Sequence, residues 1–130
     1  MKLLEKKVCL ITGASRGIGR ETACRFAQEG AILYVTDYQE GSLEGLKIEL
    51  KERYQTEIKP LYFDVTDENA AKAAIMTVKK GHGRLDVVVN NAGIMRDNVI
   101  GMIGSQLVHD VFNINVFAVI NMIQLANKLM

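Results

Sequence analysis

The stretch Thr12-Gly13-Ala14-Ser15-Arg16-Gly17-Ile18-Gly19 sets three glycines between an apolar run, Val8-Cys9-Leu10-Ile11, and a segment of mixed polarity. A short uninterrupted apolar run of this kind suits a parallel strand buried on both faces. Beyond it, Ile18, Thr22, Ala23, Phe26 and Ala27 recur at three- and four-residue spacing, with Arg20, Glu21, Arg25 and Gln28 mostly opposite. That pattern predicts a helix from Gly17 whose apolar set faces inward. Strand, glycine turn and helix together make an anion site. One glycine permits the tight turn, another lets the backbone approach phosphate oxygens, and the third lets the helix pack closely. The helix N-terminus adds unpaired amides and a favourable dipole. A plain βα turn without a ligand has the same glycines, so the rest of the chain must decide.

The next element points to a dinucleotide. Ala31-Ile32-Leu33-Tyr34-Val35-Thr36 reads as a second strand ending at Asp37, 18 residues beyond Gly19. A carboxylate near that spacing accepts hydrogen bonds from the adenosine ribose hydroxyls and repels a 2′-phosphate, which favours NAD(H). Arg16 pulls the other way, because a guanidinium in the glycine loop can pair with the 2′-phosphate of NADP(H). Asp37 weighs more: a misplaced carboxylate costs binding outright, whereas an exposed arginine can point into water.

Further along, the same alternation repeats. Strands are expected near 7–12, 31–37, 58–64 and 85–90, with helices over 17–29, 42–54 and 67–80 and a last one from about 105 to the end. Leu43, Leu46, Ile48 and Leu50 should supply the apolar contacts of the second helix, and Ser105 should cap the last. Right-handed crossovers between parallel strands give an α/β, doubly wound sheet of order 3-2-1-4, with the crevice at the carboxyl ends of strands 1 and 4. The last segment, from Leu107 to Leu129, is apolar on nearly all sides and calls for burial, while Asn113, Asn115 and Asn121 argue against a membrane span.

Composition excludes several classes. The 16 basic and 15 acidic residues nearly cancel, leaving no electrostatic footprint for nucleic acid. Lys2, Glu5, Lys6 and Lys7 interrupt the N-terminus before a signal peptide can form, so cytoplasm is the expected compartment. Cys9 and Cys24 read as buried free thiols, and His82 and His109 lack metal-ligand spacing and read as surface or packing residues. One domain over 1–130 is expected, since no linker or repeat divides the chain.

Residues 12–19 also resemble the Thr-Gly-x-x-x-Gly-x-Gly motif of the short-chain dehydrogenase/reductase family, met in full. Asp64-Val65 follow the third strand where that family sets an aspartate against adenine. Val87-Val88-Val89-Asn90-Asn91-Ala92-Gly93 resembles its fourth strand and Asn-Asn-Ala-Gly turn. Ile94-Met95-Arg96-Asp97-Asn98 resembles the 3-oxoacyl-acyl-carrier-protein reductase branch, which includes acetoacetyl-CoA reductases.

This resemblance implies a Rossmann-type fold and hydride transfer between a nicotinamide cofactor and a 3-oxoacyl thioester. It implies that Gly13, Ser15, Gly17, Ile18 and Gly19 hold phosphates, with Arg16 among them as the group that could meet a 2′-phosphate, that Asp37 holds the ribose, and that Asp64 and Val65 meet adenine. Asn91, Ala92 and Gly93 would lie beside the nicotinamide ribose. Asn115, with Asn113 as the alternative, matches the helix asparagine that helps hold a water in a proton relay. The same helix in the family packs between subunits, implying a homodimer or homotetramer. The resemblance runs from Leu4 to Met130 over the first half of the family's domain. The family's serine and Tyr-x-x-x-Lys lie later, and none of Tyr34, Tyr38, Tyr54 and Tyr62 has a lysine four places on. The expectation is a cofactor-binding half from a longer protein, inactive alone. The competing expectation is a non-catalytic dinucleotide-binding or assembly module.

Overall fold

The computed structural model describes residues 1–130 and shows four parallel strands in the spatial order β3-β2-β1-β4. The strands are β1 (Val8–Ile11), β2 (Ile32–Asp37), β3 (Ile58–Tyr62) and β4 (Val87–Val89). Between them run α1 (Gly17–Gln28), α2 (Glu44–Tyr54) and α3 (Glu68–His82). After β4 come α4 (Ser105–Phe112), a π-helical segment (Asn113–Phe117) and α5 (Ala118–Ala126). The expected sheet order therefore holds, with each strand end within two residues of its forecast.

Side-chain alternation along β1 explains why the sheet is covered on both faces. Cys9 and Ile11 point to one side, where they join Leu33, Val35, Ala23, Ala27, Leu43, Leu46 and Leu50 under α1 and α2. Val8 and Leu10 point to the other, where they join Tyr34, Ile75, Val78, Met122 and Ala126 under α3 and α5. Burial pushes the Cys9 thiol up to about 11, so it stays protonated, while Cys24 is half-buried and also free.

β4 is tied to β1 beyond its ladder by Asp86. Its backbone N–H donates to Val8 O at 2.8 Å, and its carboxylate accepts from Val8 N at 2.8 Å. Arg84 and that amide hold the Asp86 carboxyl below its ordinary value. A carboxyl lowered in the folded state stabilises above its unfolded pKa and stops doing so as pH falls through the folded one. Asp86→Asn is therefore expected to flatten the acid limb of the stability curve, measured by urea denaturation between neutral and acidic pH.

Several local expectations are corrected. Ile18 is 80% exposed rather than in the core, and Thr22 and Phe26 are only half-buried, so α1 buries Gly19, Ala23 and Ala27. Ile48 is 58% exposed, because Leu43, Leu46 and Leu50 already cover the α2 contact. Gly104, not Ser105, is the N-cap of α4, and no side chain caps it. The last helical stretch is not buried on all sides: Ala118, Met122 and Ala126 pack inward, while Phe112, Phe117, Ile120 and Ile123 are exposed. By length and composition Ser105–Leu129 is long and apolar enough to cross a membrane, yet its inner side packs against α3.

His82 is a packing residue of particular kind. Its Nδ1 lies 2.7 Å from Tyr34 Oη and its Nε2 3.1 Å from Glu57 Oε1, so the end of α3 is pinned to β2 and to the approach to β3. Gly81 leaves room for that phenol, since a Cβ there would overlap Tyr34 Oη. Gly81→Ala should destabilise by about 1–3 kcal/mol, outweighing a helix-propensity gain of at most about 1 kcal/mol. Urea denaturation checks this, and adding Tyr34→Phe should remove most of the penalty.

Candidate cofactor site

All four strands end on the same edge, and the chain leaves each into a loop there. Between β1 and β4 the crossovers diverge to opposite faces, opening a crevice that no side chain needs to carve. A cleft of about 740 Å³ occupies this edge.

The glycine loop forms its floor. Gly13 and Gly17 have φ of +64° and +58°, in the region glycine tolerates best. A Cβ on Gly17 would meet nothing within 4 Å, so its backbone faces open cleft. Gly19 is different: a Cβ there would overlap Gly13 O and lie 2.5 Å from Asn91 Nδ2. It packs the start of α1 against the loop and does not line the cleft. The N-terminus of α1 has no side-chain cap and no acidic residue in its first turn. Its amides are therefore unclaimed, and they open on the cleft beside Ser15, Arg16 and Ile18. This explains Ile18: helical spacing marks it as core, but it faces the cleft.

A threonine that the sequence reading passed over holds the loop in place. Thr12 is 3% exposed, and its hydroxyl accepts from Asn91 N at 3.0 Å and Ala92 N at 2.9 Å while donating to Val89 O at 3.4 Å. Asn91 answers with its side chain, Nδ2 donating to Thr12 O at 3.1 Å and Gly13 O at 3.0 Å. The turn after β4 and the loop after β1 are thus one hydrogen-bonded unit. Thr12 and Asn91 are 79 residues apart, and only the adjacency of β1 and β4 could have signalled their pairing.

At one end of the cleft, Asp37, Tyr38 and Gln39 follow β2, with Thr36 beneath them. Asp37 Oδ1 accepts from Gln39 N at 3.2 Å, leaving Oδ2 without a protein partner. Asp64 and Val65 line the wall after β3, where Asp64 Oδ1 accepts from Thr66 N and Thr66 Oγ1. At the other end lie Ala92, Gly93, Ile94, Arg96 and Ile114. Asn115 does not line the cleft. Its Oδ1 accepts from Ile94 N at 2.8 Å and its Nδ2 donates to Ile94 O at 2.7 Å, which clamps the loop that follows β4 at that end. It sits in the π-helical segment, a feature frequent where a helix serves a site.

The structure thus brings Gly13, Ser15, Arg16, Gly17, Ile18, Asp37, Asp64, Val65, Asn91, Ala92 and Gly93 to one cleft. Gly19 and Asn115 stand behind it. Sequence reading missed Thr36, Tyr38, Gln39, Phe63, Ile94, Arg96 and Ile114 as lining residues.

The short chain dehydrogenase family model matches residues 7–130, and the chain belongs to that family of oxidoreductases. The chain is 39% identical to the 3-oxoacyl-acyl-carrier-protein reductase of Thermotoga maritima, covering 94% of this chain and 49% of that protein. It is 30% identical to the 7alpha-hydroxysteroid dehydrogenase of Bacteroides fragilis, covering 100% and 51%. Among solved structures, L-sorbose reductase from Gluconobacter frateurii, complexed with NADPH and L-sorbose, superposes with a TM-score of 0.94 at 27% identity, covering 100% and 50%. Carveol dehydrogenase from Mycobacterium avium, in complex with NAD, superposes at 0.90 and 28% identity, covering 99% and 51%. The chain spans about half the length of the curated relatives it matches.

Proposed function

We propose that this chain supplies the nicotinamide-dinucleotide site of a reductase that converts a 3-oxoacyl thioester to a 3-hydroxyacyl thioester. The carrying observation is the pairing, across one cleft, of the unclaimed α1 amides with the free Oδ2 of Asp37. The first suits a pyrophosphate and the second a ribose diol, and the cleft joins them. The open backbone at Gly17 is a cradle that a Cβ would fill.

In this reading Gly13, Ser15 and the amides of Gly17 and Ile18 hold the phosphates, and Gly19 packs the loop behind them. Asp37 takes the adenosine ribose, and Asp64 and Val65 border the adenine. Asn91, Ala92 and Gly93 border the nicotinamide ribose. The bound nicotinamide would supply or accept hydride. Asn115 is a positioning residue that fixes the Ile94 backbone at the reacting end. By resemblance to the family it stands in the proton-relay position, where the helix asparagine would help hold a water.

Asp37 favours NAD(H), and Arg16, exposed in the loop, allows NADP(H). Asp37→Ala should weaken NADH about 10-fold, the loss of roughly one charged hydrogen bond, and NADPH much less. Equal losses in paired fluorescence titrations would remove Asp37 from the ribose.

Hydride addition to a ketone needs a proton donor for the developing alkoxide. The one phenol lining the cleft, Tyr38, sits beside Asp37 at the adenosine end. The 130-residue chain should therefore bind NADH without reducing acetoacetyl-CoA, and turnover by the pure chain would contradict this. The 3-oxoacyl thioester assignment draws support from the Thermotoga maritima relative. Assembly as a homodimer or homotetramer through the exposed Phe112, Phe117, Ile120 and Ile123 face fits its apolar character. Cytoplasm is the compartment that suits the two free thiols.

A further inference from the structure

The chain has six arginines, and four of them, Arg20, Arg25, Arg53 and Arg84, each meet a carboxylate. The two without a carboxylate partner, Arg16 and Arg96, both line the cleft, at opposite ends. Arg16 belongs to the glycine loop, beside the phosphate and ribose positions. Arg96 belongs to the other end, with Gly93, Ile94 and Ile114, where the nicotinamide would lie. A dinucleotide carries its negative charge at the pyrophosphate, which the loop amides serve, so Arg96 has no cofactor phosphate at its own end. Its neighbour Asp97 forms no ion pair with it.

Placement of Arg96 is fixed from behind. Asn115 holds both backbone polar groups of Ile94, two residues earlier, so the chain leaves a clamped point just before the guanidinium. Met95 and Val99, exposed at 85% and 65%, give the same segment of chain exposed apolar surface. A permanent planar cation next to apolar surface, at the mouth of the reacting end, matches a substrate with an anionic group and an apolar part.

We propose that Arg96 is the substrate-side cation of the cleft and pairs with the phosphate of a phosphopantetheine arm carrying the acyl thioester. This rests on the thioester reading above and assigns to one residue the recognition of the carrier arm. Coenzyme A and acyl carrier protein both present that arm.

The test is calorimetric titration of the chain with phosphopantetheine and with uncharged pantetheine, each with and without saturating NADH. Phosphopantetheine should bind about 10-fold tighter than pantetheine at low salt, with the advantage shrinking as ionic strength rises. Arg96→Gln should erase the advantage, and Arg96→Lys should keep part of it, while both change NADH affinity less than they change phosphopantetheine affinity. Equal binding of the two arms overturns the proposal. So does an advantage that survives Arg96→Gln, or a parallel loss of NADH affinity, which would give Arg96 to the cofactor. Failure of NADH to bind would overturn the dinucleotide reading, and the titrations without NADH would still decide the role of Arg96. Titration with holo-acyl carrier protein and coenzyme A then separates the two sources: the tighter one names the carrier if Arg96→Gln weakens it, and insensitivity of both overturns the proposal.

Discussion

Gly19→Ala is expected to cost at least about 3 kcal/mol of stability, at the upper end for overpacking. It should also weaken NADH by well over 10-fold. The added Cβ would overlap Gly13 O and crowd Asn91 Nδ2. Neither neighbour can yield cheaply. Gly13 is backbone held at φ +64°, and Asn91 Nδ2 is already committed to Thr12 O and Gly13 O. Relief therefore requires the loop to move off α1 or the Asn91 hydrogen bonds to open, and either movement scatters the α1 amides that face the cleft. Gly17→Ala is the informative contrast. A Cβ there has open space, so its penalty comes from positive φ and should be nearer 1–2 kcal/mol, roughly the cost of a left-handed non-glycine residue. Urea denaturation and NADH titration of both variants check the ranking, and a Gly19→Ala protein as stable as the parent would refute the packing argument.

Thr12→Val should cost about 2–4 kcal/mol, because two amides, Asn91 N and Ala92 N, lose their shared acceptor at a nearly buried position. The substitution keeps the shape, so little of the loss is cavity. Thr12→Ser keeps the hydroxyl and should recover most of the stability, leaving only the small cost of a lost methyl. Denaturation of the two variants side by side separates a lost hydrogen-bond hub from lost packing. If serine fails to rescue, the hub is not what holds the loop.

These two residues also show how far the sequence could be read. Parallel strands covered on both faces must be uninterruptedly apolar, so β1 and β4 announced themselves. The glycine turn and Asp37 were legible as parts of one cleft because their placement depends on local spacing. Thr12 was not, since its hydroxyl acts on residues 79 and 80 positions away, and a threonine before a glycine turn has no local reason to be singled out. Ile18 was misplaced because helical periodicity marks an apolar face without distinguishing a core from a cleft. The last helix was misjudged for a related reason: an all-round apolar sequence calls for cover, but only its Ala118, Met122 and Ala126 side finds it within this chain. Tyr34, Glu57 and His82 meet through the β2–α3 packing, and no sequence spacing brings them together. Arg96 stood in a quoted motif, yet its place in the cleft depends on the Asn115 clamp.

The central claim is that the edge built from the glycine loop, Asp37 and the Asn91 turn is a site for a nicotinamide dinucleotide. Direct titration of the purified chain with NADH, followed by energy transfer or calorimetry with NADPH in parallel, tests it. Saturable one-to-one binding, tighter for NADH than for NADPH and competed by NAD⁺, is the predicted result. Absence of saturable binding by either nucleotide to the folded chain would contradict the account.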